Sequence, residues 1–162
     1  MKNVFVAAVL SMSCLAFAAE PEPELKPAQE EAKGKFDEAL ADPLKALNEK
    51  CGTRITTVKT DYENFKEADW PNTAFYTWCP SAIEAITSMC ESRPAYKKVI
   101  SKKLTGISCL FAGVKPKEKK DGSNEYTLRN MSFEKGVFIF HIEKDESNLS
   151  DNAKATFEKA LN

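Results

Sequence analysis

The sequence has few of the residues that most metal and catalytic sites require. Only one of its 162 residues is histidine, and no Cys-x-x-Cys pair occurs, so the usual zinc spacings are absent. It also lacks the Gly-x-Ser-x-Gly motif of hydrolases, a phosphate-binding glycine loop and the His-Glu-x-x-His motif of metalloproteases. The single histidine, His141, alternates with Val137 and Ile139, which is typical of a half-buried structural residue. We therefore predict no metal site and no cofactor, and we assign no catalytic residue.

An excess of charge of one sign is also lacking. The chain has 23 basic and 24 acidic residues and a net charge of −1, whereas a general nucleic-acid-binding protein has a strong basic excess. Beyond the N-terminus, no apolar run approaches the ~20 residues that a membrane-spanning helix needs. The composition therefore predicts neither nucleic-acid binding nor a membrane span.

The N-terminus is typical of a signal peptide. One positive charge, at Lys2, precedes an apolar run over residues 4–17, and residues 16–18 fit the small-x-small rule for cleavage. We predict cleavage after Ala18 and a secreted or periplasmic protein. A lipoprotein anchored through Cys14 is the alternative, but the upstream leucine lies one position too far away and a methionine occupies the place of a small residue.

Cleavage at this point leaves four cysteines, and an even number behind a signal peptide predicts two disulfides. A continuous helix from Ser81 to Cys90 would hold Cys79 and Cys90 ~16 Å apart, beyond the ~7 Å that disulfide Cα atoms span. If this helix runs antiparallel to the preceding strand, Cys90 returns beside Cys51. The next helix runs back, so Cys109 lies near Cys79. We predict Cys51–Cys90 and Cys79–Cys109, with Cys51–Cys79 and Cys90–Cys109 as the alternative.

The sequence predicts that the chain divides into three parts. Residues 1–18 are the signal peptide, and residues 19–41 are an acidic linker rich in proline and glutamate that ends in a frayed helix. Residues 42–162 form one disulfide-stabilised domain, whose first helix begins with Asp42 as N-cap and Pro43 at the first helical position.

The order of predicted elements in this domain indicates an α+β fold. We expect a single domain with an antiparallel sheet of about four strands and three to four helices packed on one face. The strand over 137–143 is apolar on both faces and is therefore expected in the centre of the sheet. The other predicted elements are a strand over 53–60, helices over 81–90 and 94–104, strands over 107–111 and 125–133, and a last helix capped by Ser150.

Residues 62–78, which we name the aromatic loop, hold six aromatic side chains. That is more than a loop needs to turn the chain, and exposed aromatic residues are common in interfaces. We expect Phe65 and Trp78 to pack inward and Trp70 to be exposed. The predicted binding residues are Trp70, Tyr62, Phe75 and Tyr76.

The layout Trp78-Cys79-Pro80, Cys90 and Ile107-Ser108-Cys109-Leu110-Phe111 resembles small four-cysteine secreted proteins of Gram-negative bacteria that have no assigned function. The resemblance implies a secreted or periplasmic protein and implies nothing about activity.

Three functions are open at this stage. The first is an exported, non-enzymatic module that binds a partner protein or a surface glycan through the aromatic loop. The second is a glycosidase-like hydrolase, because carboxylates beside aromatic rings can form such a site. The third is a purely structural envelope protein. The carboxylates in question are Asp61, Glu63, Glu67 and Asp69.

Overall fold

The computed structural model describes residues 24–70, 74–111, 130–142 and 148–161, so the predicted signal peptide lies outside the described residues. The fold is α+β, as predicted, and no helix within these ranges is both long and apolar enough to cross a membrane. Its helices and strands are, in order, α1 (Pro27–Cys51), β1 (Val58–Lys59), α2 (Trp78–Ser92), α3 (Pro94–Lys103), β2 (Gly106–Leu110), β3 (Met131–Glu134), β4 (Val137–His141) and α4 (Leu149–Leu161).

Helix α1 begins much earlier than predicted. It is one continuous helix of 25 residues, and Pro43 lies inside it. The helix expected in the second half of residues 19–41 is present, but the expectation that a separate helix begins at Asp42 is wrong. A proline inside a helix removes the hydrogen bond to the carbonyl four residues earlier and costs about 3 kcal/mol. The packing of α1 must outweigh this cost.

The packing comes from one apolar stripe along α1. Ala32, Phe36 and Leu40 are spaced four residues apart, and Leu47 and Cys51 continue the stripe beyond the proline. All five side chains are buried in the core. Residues at this spacing share one face of a helix, so the stripe is continuous only if the helix is continuous.

Strand β1 is shorter than the predicted strand over 53–60. Gly52 ends α1 in the left-handed conformation, and the segment after it bonds to a side chain of the helix. Asn48 donates to the carbonyl of Ile55 at 2.7 Å and accepts from its N–H at 2.9 Å and from the hydroxyl of Thr53 at 2.8 Å. Both backbone groups of Ile55 are therefore satisfied outside the sheet, and ladder pairing begins at Val58.

The sheet is mixed, so the prediction of an antiparallel sheet is wrong for two of its three strand pairs. The strand order is β1-β2-β4-β3, and β2 is parallel to both β1 and β4. Only the hairpin of β3 and β4 is antiparallel. Between β1 and β2 the chain passes through α2 and α3, and such a helical crossover brings a parallel strand back to the same end. The central position predicted for β4 is confirmed.

The turn between β3 and β4 has glycine at its second position, Gly136. Lys135 and Gly136 both have positive φ, 50° and 87°, as a two-residue type I′ turn requires. A Cβ atom on Gly136 would lie 2.7 Å from the hydroxyl oxygen of Thr105 and 2.9 Å from the carbonyl oxygen of Lys103. The turn therefore needs glycine both for its conformation and for its close contact with the segment before β2.

One face of the sheet carries the core. The register aligns Ile107 with Phe138 and Cys109 with Phe140, so these four side chains point the same way. Helix α2 is linked to this face through Cys109, and α4 places Phe157 on it, 5.4 Å from Phe138 between ring centroids. Helices α2 and α4 thus pack on the same face.

Both predicted disulfides are confirmed. Cys51 pairs with Cys90 at a Cα–Cα distance of 5.3 Å, and Cys79 pairs with Cys109 at 6.2 Å. Helix α2 is continuous between its two cysteines, as the geometric argument assumed. One bridge fastens its end to α1, and the other fastens its beginning to β2.

Candidate functional site

The aromatic loop is not an open loop. It contains three short 3₁₀ helices, over 62–64, 67–69 and 75–77, and four of its six rings pack around Phe111, the residue that follows β2. We name this group of rings the aromatic cluster. The Phe111 centroid lies between 5.2 and 6.3 Å from those of Phe36, Tyr62, Phe65, Trp70 and Phe75.

Phe36 and Phe111 are the cluster members that the sequence interpretation missed. Phe36 was placed in a frayed segment, although its four-residue spacing from Ala32 and Leu40 was a usable signal for a buried helix face. Phe111 is the last residue of the strand predicted over 107–111. Nothing in the local sequence indicated that a strand end would become the centre of the loop's packing.

The four predicted binding residues have different environments. Tyr62 and Phe75 are core residues, with 9% and 7% of their surface exposed, whereas Trp70 and Tyr76 are half-buried. Trp78 is half-buried too, and its ring meets that of Trp70 edge-on at 5.4 Å. The expected contrast between an exposed Trp70 and a buried Trp78 is therefore wrong.

Three of the four predicted binding residues meet at one concavity. A groove of about 310 Å³ lies between the beginning of α1 and the aromatic loop, and we name it the aromatic groove. Tyr62 does not reach it. The groove is lined by Ala28, Glu31, Ala32, Lys35, Phe65, Glu67, Trp70, Ala74, Phe75 and Tyr76.

Charged side chains lie beside the rings of the aromatic groove. Lys35 and Glu31 form an exposed ion pair at 2.6 Å, one helical turn apart. The hydrogen bond that Lys35 donates lowers the pKa of Glu31 and raises the pKa of Lys35, and the nearby Tyr76 and Glu67 add to the second effect. An exposed pair of this kind stabilises the fold little. Its donors and acceptors are available to a ligand.

A buried amide joins the wall of the aromatic groove to α1. The Oε1 of Gln29 accepts from the N–H of Lys26 at 2.9 Å, and its Nε2 donates to the carbonyl of Glu63 at 3.0 Å and to that of Phe65 at 3.4 Å. The Gln29 side chain therefore pairs with a backbone N–H at the beginning of α1 and also binds two backbone carbonyls of the loop. This anchoring gives the groove a defined shape.

The carboxylates proposed for a hydrolase are dispersed. Glu67 lines the aromatic groove, but Asp61 accepts a hydrogen bond from the backbone N–H of Phe111 and Asp69 is exposed. Glu63 is exposed and lines a different groove. Within the described ranges, no three His, Cys, Asp or Glu side chains are grouped as metal ligands would be.

That second groove, of about 770 Å³, runs between α1 and residues 56–60, and we name it the edge groove. Tyr62 lies at its side. The hydroxyl of Tyr62 donates to Asp37 at 3.1 Å, and Asp37 also pairs with Lys33 at 2.8 Å. Burial raises the pKa of Tyr62 well above its ordinary value, and the neighbouring carboxylate of Asp37 adds to the effect.

The raised pKa of Tyr62 predicts a loss of stability in alkali. Above pH ~10 the unfolded tyrosine releases its proton while the folded one keeps it, so the free energy of unfolding falls as pH rises. Between pH 9 and 11 the wild type should lose about 1 kcal/mol more than Tyr62→Phe. Urea unfolding at both pH values measures this. The control is Tyr96→Phe, which should follow the wild type; equal losses in all three proteins would contradict the prediction.

No protein-family model, curated protein or solved structure matches this chain.

Proposed function

We propose that this chain is an exported, non-enzymatic module that binds a surface glycan in the aromatic groove. The observation that carries the proposal is the concavity itself. It places the half-buried rings of Trp70 and Tyr76 beside the exposed ion pair of Glu31 and Lys35. Binding sites for small ligands combine apolar walls with a few convergent polar groups in this way.

The size and chemistry of the groove favour a glycan over a flat protein contact. A volume of about 310 Å³ lies at the lower end of the range for small-molecule sites. The C–H groups of a sugar ring can pack on Trp70 and Tyr76. Its hydroxyls can donate to the carboxylates of Glu31 and Glu67 and accept from the ammonium group of Lys35.

Two features support export. The N-terminal residues have the charge, apolar run and cleavage pattern of a signal peptide, and two disulfides are compatible with an oxidising compartment. The resemblance to small four-cysteine secreted proteins points the same way.

The other two hypotheses have less support. A hydrolase needs a carboxylic acid with a raised pKa in apolar surroundings beside a second carboxylate. Glu63, Glu67 and Asp69 are exposed, and Asp61 accepts a hydrogen bond from the backbone N–H of Phe111. A purely structural role would make no use of the groove in which these rings and charged groups meet.

The proposal is tested with Tyr76→Ala. Tyr76 is half-buried against the core, and among the described aromatic rings its ring meets only that of Phe75, at 5.6 Å, so its loss should destabilise the domain without unfolding it. We expect affinity for glycans selected on an array to fall about tenfold or more, as for a contact residue at an interface. The matched control is Tyr96→Ala, a half-buried tyrosine on α3 that does not line the groove.

Binding is measured by calorimetry on the oxidised chain, and folding by circular dichroism. Unchanged glycan affinity in Tyr76→Ala would remove the aromatic groove from the proposal. If no glycan binds but an envelope protein binds with a dependence on Tyr76, the groove holds a segment of a partner protein instead.

A further inference from the structure

Strand β1 forms an edge of the sheet, and the edge groove runs along it. Strand β2 pairs with one side of β1, and within the described ranges no strand pairs with the other side. Five consecutive residues, 56–60, line the groove. Side chains of a strand alternate between its two faces, so consecutive residues line one groove only when that groove follows the edge of the strand.

The opposite wall of the edge groove is helical and partly apolar. Helix α1 contributes Leu40, Ala41 and Leu44, and Leu25 lies near its beginning. The distance along α1 from residue 27 to residue 44 is about 25 Å at 1.5 Å per residue. An extended chain of about seven residues has the same length.

The free edge of β1 presents backbone N–H and C=O groups that can form hydrogen bonds. In a strand, the N–H and C=O groups of alternate residues point to opposite edges, so one of the two residues of β1 presents its backbone groups away from β2. In the part of the chain that the structure describes, residues 56–60 make no backbone hydrogen bond outside the β1–β2 ladder. Backbone donors and acceptors at the edge of a sheet are matched best by another extended main chain.

Charge at the two ends of the segment adds a preference. Lys59 is exposed, and it forms no ion pair with any residue that the structure describes. Glu63 is exposed and lines the groove, and its carbonyl accepts a hydrogen bond from Gln29 in the first turns of α1. Lys33 and Asp37, which also line the groove, form an ion pair with each other. A ligand with an acidic residue near Lys59 and a basic residue near Glu63 would complement these charges.

We propose that the edge groove binds an extended peptide segment of a partner protein, which adds to the sheet beside β1. Its alternate side chains contact Leu40 and Leu44, and its main chain bonds to residues 56–60. This site is separate from the aromatic groove, so it stands or falls independently of glycan binding.

The first experiment uses the oxidised, exported chain and a phage-displayed library of random peptides of about nine residues. We expect selected peptides to share aliphatic residues at every second position and an acidic residue at one end. Ala41→Arg fills the groove from an exposed helical position and should lower their affinity about tenfold or more. Gly34→Arg is the matched control, because Gly34 lies on the same helix in open space and lines neither groove.

The second experiment methylates the amide nitrogens of one selected peptide in turn, which leaves its side chains unchanged. Strand addition predicts losses at alternate positions, each about fivefold to tenfold, because only every second N–H faces β1. Hydrogen exchange of residues 56–60 should slow in the complex.

Each of the following results would overturn the proposal. The first is that the library yields no peptide, and the second is that methylation lowers the affinity without alternation along the peptide. The third is that binding depends on Tyr76 and not on Ala41. The fourth is that the chain itself dimerises through β1 in place of peptide binding, as measured by ultracentrifugation.

Discussion

Replacing Cys51 and Cys90 together by alanine should lower the free energy of unfolding by about 4 kcal/mol. The two residues are 39 positions apart, so their bridge removes a large amount of conformational freedom from the unfolded chain. It also joins the ends of α1 and α2 at a site where both cysteines are buried. Urea unfolding of the wild type and the double variant measures the difference.

The second bridge provides the control. The bridge between Cys79 and Cys109 spans a similar separation of 30 residues. Replacing both of these cysteines by alanine should therefore lower the free energy of unfolding by about the same amount. Reducing agent should destabilise the wild type more than either double variant, since the wild type loses two bridges. A loss of under about 1 kcal/mol in the first variant would show that this bridge does not constrain the unfolded chain.

Phe36→Ala should lower the free energy of unfolding by about 3–5 kcal/mol, the range for a buried phenylalanine. The side chain is 0% exposed, and its ring lies between 5.9 and 6.4 Å from the rings of Tyr62, Phe75 and Phe111. Its loss leaves a cavity where α1, the aromatic loop and β2 meet. Thermal and urea unfolding of the purified variant give the value.

A surface substitution on the same helix separates packing from helix propensity. Glu38→Ala changes an exposed residue two positions away and should stay within about 0.5 kcal/mol of the wild type. If Phe36→Ala is equally mild, the beginning of α1 is peripheral, as the sequence interpretation held. If it is severe, the core includes residues before the predicted domain boundary at residue 42.

Two parts of the fold could be predicted because a short-range rule governs each. The distance along a helix excludes a Cys79–Cys90 pair, and reversal of chain direction at each turn then selects Cys51–Cys90. Positive φ at Gly136 follows from the place of this glycine in the short connection between two apolar strands.

The candidate site could be predicted only in part, because burial of a ring depends on what else reaches it. Trp70, Phe75 and Tyr76 do line one groove, but Tyr62 lies on the other side of the cluster, against Asp37. Phe111 lies far along the chain from the loop that it organises.

By itself the sequence determined the α+β class, the number of bridges and the central position of β4, and it favoured the observed pairing of the bridges over one alternative. These depend on residue periodicity, on local turn chemistry and on fixed distances along regular elements. Only the tertiary structure decided the rest. The direction of β2 is set by a long crossover, which permits either sense until the chain packs. The helix through Pro43 exists because burial of Phe36 and Leu47 on one stripe outweighs a local penalty. The division of the aromatic rings between core and groove likewise depends on contacts made across the whole fold.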